Sequence, residues 1–559
     1  MTSLSAEPGR PAAPSAEQPP GRFRALHRRW LLAAVVAALL AQMAAAMVTT
    51  AVQQSPTVDE PVYISTGVVY LRQHDLRHNA EHPPLGKLVI GAGAMLAGPH
   101  LRAPFTGSDY RLGRQFLYRW DNDAQRVLLA GRLPVIALTL LFGLVVFAFA
   151  RDLAGSAGGL AALALYAFSP DVIAHGSLAT LDVPAAGLLL TSVWLLWRAR
   201  RRPRLYLPLA GVALGAAMAT KMSALPALPV LLVLAAVSVW TSRPPRRPVA
   251  TAVLSAAGAG VLAVAVVWAS YLAVDPRLRW AAPADLPSVG GLRGLAAGWL
   301  PFPRPFQDGM RAQFGFENMR WTGFLFGDVY RGSRWYYLPA ALLVKTPLGM
   351  LVLWAAGVAA MAALPRLRPA APYLLAPTAV LLAVAMTGSR DLGVRYAIVV
   401  PLFLAVAAGG AVLVRWRWAG AATVALLLFV AVSSLRAFPY YLPYSNEAFG
   451  GPSKTHLRLH DSNVDWGQDL GRLADRLRER YPGEPVWLVF KGSGVPSAYG
   501  IRARDPLTAP PGEVRGLLVV SDSWIVKNDP RLMPLIRGSE PIDEVGYSVT
   551  IFRRPALRP

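Results

Sequence analysis

Cysteine is absent from the 559 residues, so no disulfide staples the fold and no thiolate serves as nucleophile or metal ligand. The same absence leaves the redox compartment open. Charge is also sparse: 16% of the chain is charged against 54% hydrophobic, with a mean hydropathy of +0.38. A soluble multidomain protein carries roughly 25% charged residues and spreads its apolar positions in amphipathic stripes. Here they come in nearly unbroken blocks, such as residues 31–48 and 249–267, which is a membrane pattern. Acid is the scarcer sign, 32 Asp and Glu against 56 Lys and Arg, for a formal charge of +24. The cations sit in short clusters between apolar blocks rather than on one basic domain. They read as topology signals, and no nucleic-acid partner is expected.

A ~30 Å hydrocarbon core needs about 20 apolar residues of helix. Eleven candidate runs follow: 30–48, 133–150, 155–168, 183–197, 205–220, 225–240, 249–272, 338–360, 372–386, 396–414 and 419–435. With the amino terminus inside, the inward connections carry Arg151; Arg198, Arg200, Arg201, Arg202 and Arg204; Arg243, Arg246 and Arg247; Arg366 and Arg368; and Arg415 and Arg417. Each is basic and nearly free of acid, as the positive-inside bias requires. The expected product is an α-helical polytopic protein of the cell membrane with about eleven transmembrane helices. Residues 1–29 are predicted to form a disordered cytoplasmic tail, with Arg22, Arg24, Arg28 and Arg29 before an uncleaved first helix. Residues 30–435 form the membrane domain, with outward loops at 49–132 and 275–337. Residues 436–559 form a small extracytoplasmic α/β domain.

The first outward loop is too long for a connector without structure or function of its own, and helices are predicted over 60–71 and 85–96, the second apolar enough to lie at the interface. Residues 301–337 are dense in Phe, Trp, Tyr, Arg and Gly, which fits either an interfacial belt or a lid over a lipid-linked or sugar substrate. In the carboxyl-terminal domain a helix is predicted over 470–480 and strands over 486–490, 516–520 and 547–552.

Chemistry-bearing residues concentrate in the outward segments. In TVDEPVYISTGVVYL, residues 57–71, Asp59 and Glu60 are adjacent carboxylates beside the membrane surface. They suit a general base tuned by low dielectric, or simply helix N-terminal acids favoured by the macrodipole. HNAEHPPLGKLVIG follows, with His78, Glu81, His82 and Lys87. Its proline pair fixes a stiff turn that holds His82 and Lys87 in place, and Lys87 suits a phosphate. No helical or zinc-finger spacing supports a metal site of His78 and His82, so neither metal nor cofactor is indicated. SPDVIAHGSLATLDVP brings Asp171, His175 and Asp182, the last either a helix cap or a functional acid at the edge of an apolar span. Lys221 falls in a tight outward turn, and Lys345 lies inside an apolar run, where it either snorkels or binds an anion. Arg390 and Arg395 lie in GSRDLGVRY. Together these cations could surround a phosphate. DSNVDWGQDL, residues 461–470, departs from a calcium loop at Trp466 and Arg472 and reads as a polar turn entering a helix.

The order of Asp59–Glu60, HPPL at residues 82–85, TLD ending at Asp182 and a multi-helix apolar body resembles GT-C membrane glycosyltransferases of the protein O-mannosyltransferase and aminoarabinose transferase type. The resemblance covers about the first 230 residues. It implies a polyprenyl-phosphate-linked sugar as donor, an acceptor protein, lipid or glycan, Asp59 as general base and Asp182 in the active cavity. With them, Glu60 is a candidate catalytic residue, and His82, Lys87, His175, Lys221, Lys345, Arg390 and Arg395 are candidate substrate-binding residues. The chain departs from the aminoarabinose transferases, which carry a lysine before the prolines where this sequence has His82. No segment resembles the lumenal β-trefoil insert of the mannosyltransferases. Two other classes compete: a transporter, which would place polar residues at the bilayer midplane in two mirrored halves, and a non-catalytic envelope assembly or sensor protein.

Overall fold

The computed structural model describes residues 21–102, 105–242, 248–283 and 286–555. The helices of the first half are α1 (Gly21–Gln53), α2 (Glu60–Gln73), α3 (Pro84–Met95), α4 (Asp109–Tyr118), α5 (Ala124–Ala167), α6 (Pro170–Gly176), α7 (Asp182–Ala199), α8 (Pro203–Thr220), α9 (Ala227–Trp240) and α10 (Pro248–Val274). The second half adds α11 (Gly291–Trp299), α12 (Arg304–Glu317), α13 (Tyr337–Lys345), α14 (Leu348–Ala363), α15 (Ala371–Met386), α16 (Val399–Ala408), α17 (Ala419–Arg436) and α18 (Leu470–Arg480). A helix or half-helix lies over each of the eleven apolar runs. Among the described residues, five helices are long and apolar enough to cross a membrane, or six if the bent pair α13 and α14 is one span. Their outward faces are apolar, with Val253, Leu254 and Val261 of α10 and Leu428 and Val432 of α17 all more than half exposed. The chain is a multi-pass membrane protein.

Two runs are joined in α5, which is 44 residues long and interrupted by Gly155 at φ 75°, a left-handed conformation that glycine adopts without steric penalty. The halves fold back on each other: Tyr166 Oη donates to the Thr139 carbonyl at 2.8 Å, and Gly159 faces the Phe147 ring. The run predicted over 338–360 is divided instead. Pro347 supplies no N–H and forces Thr346 into extended backbone, so α13 and α14 meet at 118°. Asn446 caps the break: its backbone N–H donates to Val344 O at 2.9 Å and its Nδ2 to Leu343 O and Thr346 O at 2.7 and 2.8 Å.

Small residues let the helices approach closely, as in membrane interiors generally. Gly211 and Gly215 of α8 face Ala259 and Ala263 of α10, and Gly67 of α2 meets Gly91 of α3 backbone to backbone. The arginine-bearing connections gather at one end: Arg198 bonds Asp152 at 2.7 Å, and Arg200 Nε donates to Thr241 Oγ1 at 3.2 Å. Arg243, Arg246 and Arg247 lie outside the described residues, as do residues 1–20 of the expected tail. Residues 21–29 are not irregular but open α1.

The opposite end carries α2–α4, α11–α12, a hairpin of β1 (Thr322–Leu325) and β2 (Asp328–Arg331), and the carboxyl-terminal domain. That domain holds a five-stranded sheet of β3 (Val486–Val489), β4 (Ala503–Arg504), β5 (Gly516–Ser521), β6 (Glu540–Val545) and β7 (Val549–Arg554), in the order β4-β3-β5-β7-β6. β3 runs parallel to β4 and β5, and β7 antiparallel to β5 and β6. The α/β expectation holds; β6 and the short β4 were not foreseen. One face packs on Leu470, Leu473 and Leu477 of α18, a stripe at helical spacing.

Candidate active site

The DSNVDWGQDL segment is more than a turn. All of residues 461–470 are buried, and they lie across the start of the loop that follows α1. Val58 N–H donates to Trp466 O and Ser55 N–H to Gln468 O, both at 3.0 Å, while Ser55 Oγ donates to Gly467 O and accepts from Leu470 N–H, each at 2.9 Å. Asn463 Oδ1 accepts from Val394 N–H at 2.9 Å, and Ser462 Oγ donates to Leu392 O at 2.8 Å. This segment therefore brings the loop of Asp59 and the loop of Arg395 to one place.

Asp59 sits just before α2, but its side chain makes no capping bond. The carboxylate instead accepts from Arg395 Nη1 at 2.9 Å, and its side chain remains 16% exposed. The guanidinium of Arg395 lies 4.3 Å from the Trp466 ring centre and 5.0 Å from that of Tyr396, and its Nε has no partner. Its Nη1 also reaches Asp182 at 4.0 Å. Asp182 is the first residue of α7, and its Oδ1 accepts from Lys221 Nζ at 2.5 Å. Lys221 stands at the extended end of α8 and faces the Tyr396 ring. Four charged side chains from four stretches of sequence thus alternate in sign: Asp59, Arg395, Asp182, Lys221.

Arg390 also lies near Tyr396, 5.7 Å from its ring centre, and is held by Glu317 of α12 at 2.7 Å and by Gln313 at 2.9 Å. His175 turns its ring edge to Trp466 and His82 its own to Tyr63. Nδ1 of each is buried without a partner. Burial drives His82 well below the usual imidazole range, helped by Lys221, Lys87 and Arg390. Burial lowers His175 as well, to about 3.

Three expected site residues have other work. Glu60 is fully buried and accepts from Arg132 Nε and Nη2 at 2.7 Å each, from Thr57 N–H and Oγ1 at 2.9 and 3.0 Å, and from Ala179 N–H at 2.8 Å. Burial alone would raise its carboxyl, but the charge and hydrogen bonds of Arg132 outweigh that and hold it lowered. With every lone pair engaged, it is a clamp between loop and bundle rather than a proton acceptor. Lys87 is buried and donates to Tyr70 Oη, Asn79 O and His82 O at 2.9, 2.6 and 2.7 Å. All three of its protons are spoken for, so it shapes the loop and does not face a phosphate. Lys345, equally buried, donates to Leu442 O and Asn463 O at 2.5 and 3.0 Å and lies 3.6 Å from Asp171. It neither snorkels nor points into a cavity. His78 pairs with Asp109 at 3.0 Å, and no group of His, Asp or Glu in this cluster has metal-holding geometry among the described residues.

Arg132, Tyr396 and Trp466 escaped the sequence reading. The signal available for Arg132 was an arginine inside an apolar helix, where an unpaired charge is costly. Trp466 stood out only as the residue that spoiled a calcium loop.

Residues 36–274 match the family model described as dolichyl-phosphate-mannose-protein mannosyltransferase. The matched stretch contains Asp59, Asp182 and Lys221 and ends before Arg395. The resemblance read from Asp59–Glu60, HPPL and TLD is upheld. Among solved structures, ArnT from Cupriavidus metallidurans in the apo state is 14% identical, covering 95% of this chain and 98% of that one at a TM-score of 0.46. The same protein bound to undecaprenyl phosphate is 15% identical, covering 94% and 98%, also at 0.46. The apo oligosaccharyltransferase of Archaeoglobus fulgidus is 13% identical, covering 80% of this chain and 58% of its own at 0.42. No curated protein sequence matches the chain.

Proposed function

We propose that this protein is an inverting glycosyltransferase that moves a sugar from a polyprenyl-phosphate donor to an acceptor hydroxyl at the outer face of the cell membrane. The observation that carries this reading is the Asp59 carboxylate: freed from capping its own helix, partly open, and held by a guanidinium that two carboxylates share. A polyprenyl phosphate leaves readily, so the protein has two tasks. It must take a proton from the acceptor hydroxyl and stabilise the charge released on the phosphate. Asp59 takes the proton. Arg395, Lys221 and Arg390, ranged around the Tyr396 ring, receive the phosphate.

The Asp59–Arg395 pair adds a gating step. While the guanidinium holds Asp59, the carboxylate oxygen is occupied by that hydrogen bond. A donor phosphate competes for the same guanidinium, so donor binding releases the base when it is needed. Asp182 keeps Lys221 and Arg395 in place through this exchange. A single displacement by the activated hydroxyl inverts the anomeric carbon. The lipid chain stays in the bilayer, so the reacting carbon sits where the loops meet the membrane surface.

The test is sugar transfer from radiolabelled polyprenyl-phosphate donors in membranes. Asp59→Asn is expected to lower turnover by about 10²–10⁴-fold, the range of general-base catalysis, in protein that still folds. Equal labelled product from wild type and variant removes Asp59 from the reaction.

A further inference from the structure

A second constellation lies in the carboxyl-terminal domain, away from the charged cluster. The short helical segment Pro452–Leu457 places His456 beside the sheet, where it meets Asp522, just after β5, and Glu544 of β6. One ligand atom from each of the three side chains falls within 4.8 Å of the other two, and His456 Nδ1 lies 4.0 Å from Glu544 Oε1. His456 Nδ1, Asp522 Oδ2 and Glu544 Oε1 are all buried without a hydrogen-bond partner. Three orphaned atoms converging on one point is unusual, because buried polar atoms are nearly always paired.

Asp522 is the decisive member. Its residue is 2% exposed, and its other oxygen accepts from Thr550 Oγ1 at 2.7 Å. That bond engages Oδ1 and leaves Oδ2 buried without a partner. The charges that face Asp522 are those of Asp465, Glu544 and Asp469, all of them acidic. Lys454 also faces Glu544 and His456 from the same segment, but it leaves the three inward atoms unpaired.

We propose that His456, Asp522 and Glu544 bind a divalent transition-metal ion of the zinc class, which ties the segment 452–457 to the sheet. One imidazole nitrogen with two carboxylate oxygens suits zinc better than calcium or magnesium, which take oxygen donors. Zinc–ligand bonds of about 2.1 Å in tetrahedral geometry separate the ligand atoms by about 3.4 Å. The site closes by side-chain shifts of about 1 Å, with a fourth position for water. The segment pinned in this way lies between Asn446, which caps the α13–α14 break, and residues 461–470, which lie over the charged cluster. The metal thus has a structural role, independent of the reaction proposed above.

The experiment uses the full chain, purified in detergent and stripped with a chelator. Zinc binding is measured by titration calorimetry and by its effect on melting temperature for wild type, His456→Ala and Glu544→Gln. Wild type is expected to bind one more equivalent of zinc than either variant and to melt higher with zinc, an increase that both variants lose. Loss of a direct ligand weakens binding by at least about 100-fold, beyond the effect of an outer-shell partner. Cobalt(II) in place of zinc gives visible absorption bands of a four-coordinate site in wild type only. Glu544 is part-exposed, so Glu544→Gln keeps the metal-free melting temperature and serves if His456→Ala fails to fold. A wild-type protein that takes up no zinc, or a Glu544→Gln variant that matches its stoichiometry and affinity, overturns the proposal.

Discussion

Glu60→Gln separates two accounts of the acidic pair that begins α2. A catalytic Glu60 would lose turnover and keep its fold; the clamp seen here reverses that order. Both members of the Glu60–Arg132 pair have fully buried side chains at 2.7 Å, and Glu60 accepts five hydrogen bonds. Glutamine preserves the volume but removes the charge and turns an N–H₂ group toward donors. Arg132 keeps three carbonyl partners, Ala51 O, Gln54 O and Ser55 O, yet loses its counter-charge. Removing one partner of a buried ion pair typically costs about 3–5 kcal/mol, mostly from stranding the other charge. Thermal unfolding in detergent should therefore show a midpoint several degrees lower. The double variant Glu60→Gln with Arg132→Met should lose less than the sum of the singles, because no charge is stranded.

The pH dependence carries the same sign. Glu60's carboxyl is lowered in the folded state, so its stabilisation is complete above the unfolded value of about 4.3. It disappears as pH falls through the folded value. Wild type should lose stability on acidification in that window, and Glu60→Gln should lose less. A variant that melts with wild type at neutral pH refutes the clamp and restores Glu60 as a catalytic candidate.

Two further substitutions test the polar staples around the site. Lys87→Met leaves Tyr70 Oη, Asn79 O and His82 O without their donor; at about 1–3 kcal/mol for an unsatisfied buried group, the melting temperature should fall sharply. A stably folded Lys87→Met with weaker donor binding would instead return this lysine to the phosphate. Asn446→Ala uncovers Leu343 O and Thr346 O at the break in the bent helix and should destabilise the fold by about 2 kcal/mol or more, read by thermal unfolding; unchanged melting would mean that other groups cap the break.

The helical body was legible because each span is an apolar run, and the α5 hairpin appeared as two runs separated at Gly155 by a short polar stretch. Pro347 was visible but its effect was not, since membrane helices often tolerate proline. Within the site, Asp59 and Glu60 were singled out together in the loop after the first helix, yet their duties were assigned by local spacing. Asp59 and Arg395 are 336 positions apart, and nothing in either neighbourhood names the other. Glu60 looked like Asp59's twin until Arg132 and Ala179 filled its lone pairs. Lys87 looked like an anion ligand because a stiff proline turn holds it, and Lys345 because it lies inside an apolar run. Their carbonyl partners belong to loops whose path only the fold reveals.

The knitting of Ser55 to residues 467–470 has a consequence for biogenesis. A nascent chain inserts its first membrane helix, and the loop bearing Asp59, long before the ribosome reaches Trp466. Until then Ser55 and Val58 have no strand of chain to lie against, and the acidic loop stays open to whatever surrounds it. The charged cluster is therefore covered only after Trp466 has been made, and a chain interrupted before that point lacks the segment that joins the loop of Asp59 to the loop of Arg395.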